Sequence, residues 1–274
     1  MSDNNAGAPM PYAALHGHDI YYQDGGHGEA VILLHGFPLS CEIWAPMREW
    51  LSETCRLVTP DLRGHGLSAK PVGQYGMDVL ADDIVALAEH LGFERFVLGG
   101  HSMGGYVAFR FAARYADRLS GLILVDTRAE PDTDEGKAKR LAGIEKIRRE
   151  GASAFLDGFV PGLLGETTKA RHPALLGHVR RIALRVPDHV LAACLKGMMD
   201  RPDSRDLLPN LGIPVLIVVG EEDALTPPDS ARQMARSLPD AELVVIPRAG
   251  HTPSLEAPDL TAKAIAHYLR RVSP

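Results

Sequence analysis

The sequence predicts an α/β fold: a mostly parallel central sheet flanked by helices on both faces, interrupted once by an inserted all-helical segment. Three observations predict it. Short aliphatic runs recur along 274 residues, each apolar on both faces, as strands buried under helices on both sides must be. Between most of them lie stretches whose apolar residues fall at helical spacing. One long stretch, Arg128 to Asp206, has no aliphatic strand run at all.

Taken in order, Tyr12–Leu15 and Ile20–Gln23 form an antiparallel hairpin turned at Gly17–Asp19, because a parallel pair would need a longer crossover. Val31–Leu34, Arg56–Thr59, Phe96–Leu98, Leu122–Val125, Val215–Val219 and Leu243–Ile246 are the buried strands of a mixed sheet. Helices are predicted over Asp78–Leu91, from Leu80, Ile84, Leu87 and Leu91, and over Met103–Tyr115, from Val107, Phe111 and Ala112. Two more follow at Ser230–Leu238 and Pro258–Leu269. Residues 128–206 are read as a helical cap, leaving 1–127 together with 207–274 as the core domain. The cap carries an excess of basic residues and the remainder an excess of acidic ones. That excess is read as solvated helix surface rich in i, i+4 pairs.

Composition narrows the function. Twenty-nine basic against 35 acidic residues give a net charge of -6, which provides no field for phosphate backbones, so nucleic acid is not an expected partner. The longest aliphatic run, Val215–Val219, is far short of the ~20 residues of a membrane-spanning helix. Cys41, Cys55 and Cys194 are an odd, widely spaced set and read as reduced thiols, not a disulfide framework. With a polar segment at Met1–Pro11 in place of a secretory signal, the expected location is cytoplasmic.

The chemistry concentrates at Phe96-Val97-Leu98-Gly99-Gly100-His101-Ser102-Met103-Gly104-Gly105-Tyr106, a strand-like run followed by Gly-x-Ser-x-Gly and a helix. A serine on such a tight strand-to-helix turn is held in a strained conformation with its hydroxyl exposed, and Gly100 and Gly104 remove side chains that would collide there. Ser102 is therefore the candidate nucleophile. A serine hydroxyl needs a base and an acid to orient that base. His251, in Gly250-His251-Thr252, follows the last strand, and Asp223, in Gly220-Glu221-Glu222-Asp223, follows the strand before it. The chain order is Ser, Asp, His.

Four motifs carry a resemblance at this point: His35-Gly36-Phe37-Pro38, Asp61-Leu62-Arg63-Gly64-His65-Gly66-Leu67-Ser68, the serine turn, and the Gly-x-x-Asp and Gly-His pair near the end. From about Tyr12 to Arg270 the chain resembles the α/β-hydrolase fold superfamily, and within it bacterial serine carboxylesterases and enol-lactonases with a helical cap. The resemblance implies Ser102 as nucleophile, His251 as general base and acid, and Asp223 as the orienting carboxylate. It also implies an oxyanion hole from the backbone amides of Phe37 and Met103. Asp126 remains a rival acid, since some members place the carboxylate after that strand, and Glu221 and Glu222 are lesser rivals.

His35 is read as shaping the oxyanion loop, His65 as part of a glycine turn, His101 as packing, and Asp61 as a loop-tying acceptor of amide hydrogen bonds. Phe155, Phe159, Leu163 and Met198 are candidates for the substrate pocket. No histidine pair has metal-ligand spacing and the glycines lack the dinucleotide order, so neither a metal nor a cofactor is expected. The expected reaction is hydrolysis of small soluble acyl esters or lactones. Enol-lactonase action, cofactor-free perhydrolysis and a non-catalytic receptor of the same fold stay open, and the sequence is compatible with a homodimer.

Overall fold

The computed structural model describes residues 11–272; the polar segment before them, on which the absence of a secretory signal was read, lies outside the described residues. Eight strands form one sheet in the order β1-β2-β4-β3-β5-β6-β7-β8. They are β1 (Tyr12–Leu15), β2 (His18–Gly26), β3 (Ala30–Leu34), β4 (Arg56–Pro60), β5 (Phe96–His101), β6 (Leu119–Val125), β7 (Val215–Gly220) and β8 (Ala241–Ile246). β2 runs antiparallel to both of its neighbours, and every other pairing is parallel.

The hairpin is tighter than expected. Leu15 pairs with His18, leaving His16 and Gly17 as a two-residue turn with φ of 50° and 78°, the left-handed pair that suits right-twisted strands. β2 also runs past Gln23, because Asp24, Gly25 and Gly26 pair with Val58, Leu57 and Arg56 of β4. β5 extends beyond Leu98 through Gly99, Gly100 and His101, which pair with Ile123, Leu124 and Val125. β8, expected as a buried strand, is half-buried from Ala241 to Val245, since it is the edge of the sheet and pairs only with β7.

The helices are α1 (Arg48–Ser52), α2 (Met77–His90), α3 (Met103–Arg114), α4 (Asp134–Phe159), α5 (Glu166–Arg171), α6 (Pro173–Ala183), α7 (Asp188–Met199), α8 (Pro228–Arg236), α9 (Pro253–Glu256) and α10 (Pro258–Val272). The connection from β3 to β4 is a tight 3₁₀ segment, Cys41–Met47, leading into α1. No helical period announces it in the sequence. From β3 the chain steps outward to β4 and then back across β3 to β5. With right-handed crossovers this reversal puts α1 and α2 on opposite faces and opens a crevice at the carboxyl ends of β3 and β5. α1 packs with α10, and α2 with α3. Phe96, Phe109, Phe111, Trp44 and Tyr268 are fully buried in the layers so formed.

Between Val125 and Val215 the described chain is helical, with α4 to α7 and short 3₁₀ turns. Its ends meet where Ser204 N donates to Ala129 O over 2.9 Å. α4 breaks at Gly151, where φ is 83° and ψ 169°. Asp188 of α7 accepts from Ala152 N over 3.1 Å and so caps the second half. That break turns Phe155 and Phe159 towards Phe37, with ring centroids 6.3 and 5.5 Å away. Among the described residues no helix is long and apolar enough to cross a membrane.

Candidate active site

Ser102 stands between β5 and α3 with φ 50° and ψ -111°. The turn is fastened by its own backbone: Ser102 N donates to Val125 O over 2.9 Å, and Ser102 O accepts from Gly105 N over 2.9 Å and from Thr127 Oγ1 over 2.9 Å. The two elbow glycines allow the approach. A Cβ on Gly100 would lie 2.2 Å from Gly104 O, and one on Gly104 would lie 2.7 Å from the carbonyl oxygens of Leu34 and His35.

Three loops converge on this hydroxyl. His251 Nε2 is 2.8 Å from Ser102 Oγ, and His251 Nδ1 is 2.8 Å from Asp223 Oδ2. The second contact fixes the tautomer: Nδ1–H donates to the carboxylate and Nε2 is left to accept from the serine. Asp223 in turn accepts from Leu225 N over 2.8 Å, from Thr226 N over 3.1 Å and from Thr226 Oγ1. Burial alone would push the Asp223 carboxyl up, but the facing His251 and the hydroxyl of Thr226 outweigh it and hold it below the usual carboxylate range.

Asp126 does not contact His251 by a hydrogen bond. Its Oδ1 accepts from Gly220 N over 2.8 Å while Oδ2 has no partner among the described residues. Burial, reinforced by the neighbouring Asp223 charge, pushes the Asp126 carboxyl well above its usual range. Asp126, Asp223 and His251 have donor atoms within 4.8 Å of one another, but those of Asp223 and His251 face each other and not a shared centre. Glu221 and Glu222 are engaged elsewhere, Glu221 by Arg248 N over 2.9 Å and Glu222 by Thr167 N over 2.8 Å.

The remaining buried histidines are structural braces. His35 Nδ1–H donates to Gly36 O over 2.9 Å and Nε2 accepts from Leu62 N over 2.9 Å. Burial lowers His35 to about 4. His101 Nε2–H donates to His251 O over 2.6 Å, tying the elbow to the base-bearing loop, and burial lowers it to about 3. Asp61 accepts from Cys41 N and Leu67 N, each over 2.7 Å. The amides of Phe37 and Met103 donate to no other group among the described residues. As the first residue of α3, Met103 has no intrahelical acceptor within reach.

Ser102 and His251 open on a cavity of about 460 Å³. Phe37, Phe155, Phe159, Leu195 and Met198 form its apolar wall, and Arg128, Asp132 and Arg140 a charged one. Of the four pocket candidates, Phe155, Phe159 and Met198 line this cavity. Leu163 does not: it is buried, and its carbonyl accepts from Thr252 Oγ1 over 3.1 Å. Part of the basic excess of residues 128–206 is solvated helix surface with i, i+4 pairs, Lys139–Glu135, Lys146–Glu150 and Lys196–Asp200, but Asp132 is buried beneath Arg128, Arg140 and Arg201. A second unforeseen residue is Glu256, which accepts from Gly165 N (2.8 Å), Gly250 N (2.9 Å) and Thr252 N (3.0 Å) and so joins the helical segment to the His251 loop. It is the last residue of α9, four positions after the Thr252 N-cap, one more than the capping-box spacing, so no local pattern marks it.

Comparison with known proteins gives a consistent result. Residues 31–264 match the alpha/beta hydrolase family. A thermophilic esterase from Thermogutta terrifontis, solved with malate bound, is 44% identical with a TM-score of 0.91, over 97% of this chain and 98% of that one. The enol-lactonase from Burkholderia xenovorans LB400 is 28% identical with a TM-score of 0.88, over 95% of this chain and 100% of that one. A pimeloyl-[acyl-carrier protein] methyl ester esterase from Chromobacterium violaceum is 31% identical over 92% of this chain and 98% of its own length.

Proposed function

The chain belongs to the alpha/beta hydrolase family, and from that premise we propose that it hydrolyses small carboxylic esters through an acyl-enzyme on Ser102. The observation that carries this reading is the unbroken relay from Ser102 Oγ through His251 to Asp223, at 2.8 Å and 2.8 Å, open to a cavity of about 460 Å³. Ser102 Oγ attacks the ester carbonyl carbon while His251 Nε2 takes its proton. The amides of Phe37 and Met103 receive the developing oxyanion, a role in which one lost donor typically costs ~10²-fold or more in turnover.

The imidazolium then protonates the departing alkoxide as the carbon–oxygen bond breaks. Water, losing its proton to the same nitrogen, cleaves the acyl-enzyme and restores the serine. Asp223 stays ionised throughout and stabilises the imidazolium. Residues 128–206 act as a cap that supplies the acyl pocket through Phe155, Phe159 and Met198.

Purified protein with a p-nitrophenyl ester series from acetate to decanoate, beside Ser102→Ala, tests the reading. Wild type is expected to turn over short esters, and Ser102→Ala to lose several powers of ten in kcat while keeping its fold by circular dichroism. A phosphonate ester should label Ser102 and no other serine. Full activity in the variant would overturn the assignment. The resemblance to an enol-lactonase along the whole of that chain supports a second reading, in which the scissile ester lies within a ring; the same triad opens it, and the series would then be slow beside a lactone.

A further inference from the structure

The charged wall of the cavity holds more positive charge than its own carboxylates offset. Asp132, its side chain 1% exposed, is the shared acceptor of three guanidinium groups. Arg128 Nη2 reaches it over 3.1 Å, Arg201 Nη1 over 2.7 Å, and Arg140 through both Nε and Nη2. One carboxylate against three arginines leaves two positive charges in a largely buried cluster. Lys139 and Glu135, also on the cavity, pair with each other over 2.7 Å at the exposed rim and add no net charge. Asp223 sits behind Ser102 and is committed to His251.

The three arginines are not equivalent. Arg201 is 3% exposed in its side chain. Its donors go to Asp132, Met198 O (2.7 Å) and Glu130 O (2.8 Å), and its guanidinium lies 4.1 Å over the Tyr106 ring. Arg140 is 16% exposed. Arg128 is 31% exposed and borders the cavity that also contains Ser102. Its Nε, like that of Arg201, is buried without a partner among the described residues; what sets Arg128 apart is its exposure on the cavity. Burying mutually repelling charges is costly unless an anion compensates them, and a guanidinium fork fits the two coplanar oxygens of a carboxylate.

We propose that Arg128, backed by Arg140, forms a subsite for a carboxylate at the far end of the acyl group, making half-esters of dicarboxylic acids, or the corresponding carboxylate-bearing lactones, the preferred substrate class. The inference rests on the ester-hydrolase reading of Ser102 and adds the identity of the acyl group. In it the aromatic wall packs the methylene chain between a scissile carbonyl at Ser102 and an anionic terminus at Arg128.

The test compares kcat/KM for mono-p-nitrophenyl adipate with that for its methyl ester, p-nitrophenyl methyl adipate, which has the same scissile bond and no charge; Ser102→Ala supplies the background. Wild type is expected to prefer the anion by about ten-fold or more, as a charge-assisted contact allows. The preference should shrink between roughly 0.05 and 0.5 M salt. Arg128→Gln should bring the ratio to one or below, and Arg128→Lys should restore part of it. Equal or inverted rates in wild type, or a ratio unmoved by Arg128→Gln, overturn the subsite and leave the hydrolase reading standing. Failure of both esters, with no phosphonate label on Ser102, sinks that underlying reading instead. If Arg128→Gln does not fold, stronger inhibition of wild type by the adipate dianion than by neutral adipamide supports the subsite, and equal or weaker inhibition by the dianion overturns it.

Discussion

Ser102 keeps a side chain at φ 50°, in a region where a Cβ meets its own backbone and where a residue typically carries ~1 to 3 kcal/mol of strain. Two substitutions separate that strain from the loss of the hydroxyl. Ser102→Ala keeps the Cβ and Ser102→Gly removes it, so the glycine variant is expected to be about 1 kcal/mol the more stable in urea unfolding, with both inactive. An alanine variant equal to or more stable than the glycine one would show that the turn is relaxed. Ser102, Asp223 and His251 could all be picked out in the sequence because each is marked by its immediate neighbours, a glycine pattern or a strand end. Thr226 and Glu256 could not, since their importance comes from partners the fold brings in: Glu256 meets Gly165, 91 positions away. His101, read as packing, proves to hold the carbonyl of His251, a contact that no local pattern announces.

α4 shows how a helix can be made useful by interruption. The left-handed Gly151 ends its first half, and the carboxylate of Asp188, from α7, restores a cap for the second at Ala152 N. Asp188→Ala is expected to cost about 1 kcal/mol. Because the second half bears Phe155 and Phe159, the change should also raise KM for esters with longer acyl chains. Loss of stability without any change in acyl preference would separate the cap from the pocket. The strands were readable from their aliphatic runs, with their ends misjudged where pairing overrides composition: Gly99 and Gly100 look like a turn and are rungs of β5, which ends at His101. The helical character of residues 134–199 was readable from spacing, but the break at Gly151 was not, because the residue that rewards it lies on another helix.

The sheet and its loops bury His35, His65 and His101 completely, and burial lowers them from 6.5 to about 4, 3 and 3. An unfolded chain takes up these protons near pH 6.5, whereas the native one resists until far lower pH, so unfolding binds protons throughout the interval. Stability is thus fully present above about pH 6.5 and is lost as pH falls towards 4, with up to three protons contributing to the slope. Urea midpoints at pH 8, 6 and 5 check this, and a constant midpoint down to pH 5 would contradict it. The bond network around Glu256 and Glu222 carries a different consequence. Both carboxylates moor the chain at Gly165 and Thr167 to the loops of His251 and Asp223, so the helical segment cannot swing away there without unseating the relay itself. Thr133, Gly136 and Leu225 border the same cavity, so an incoming molecule meets a chamber whose wall beside the relay is tied in place.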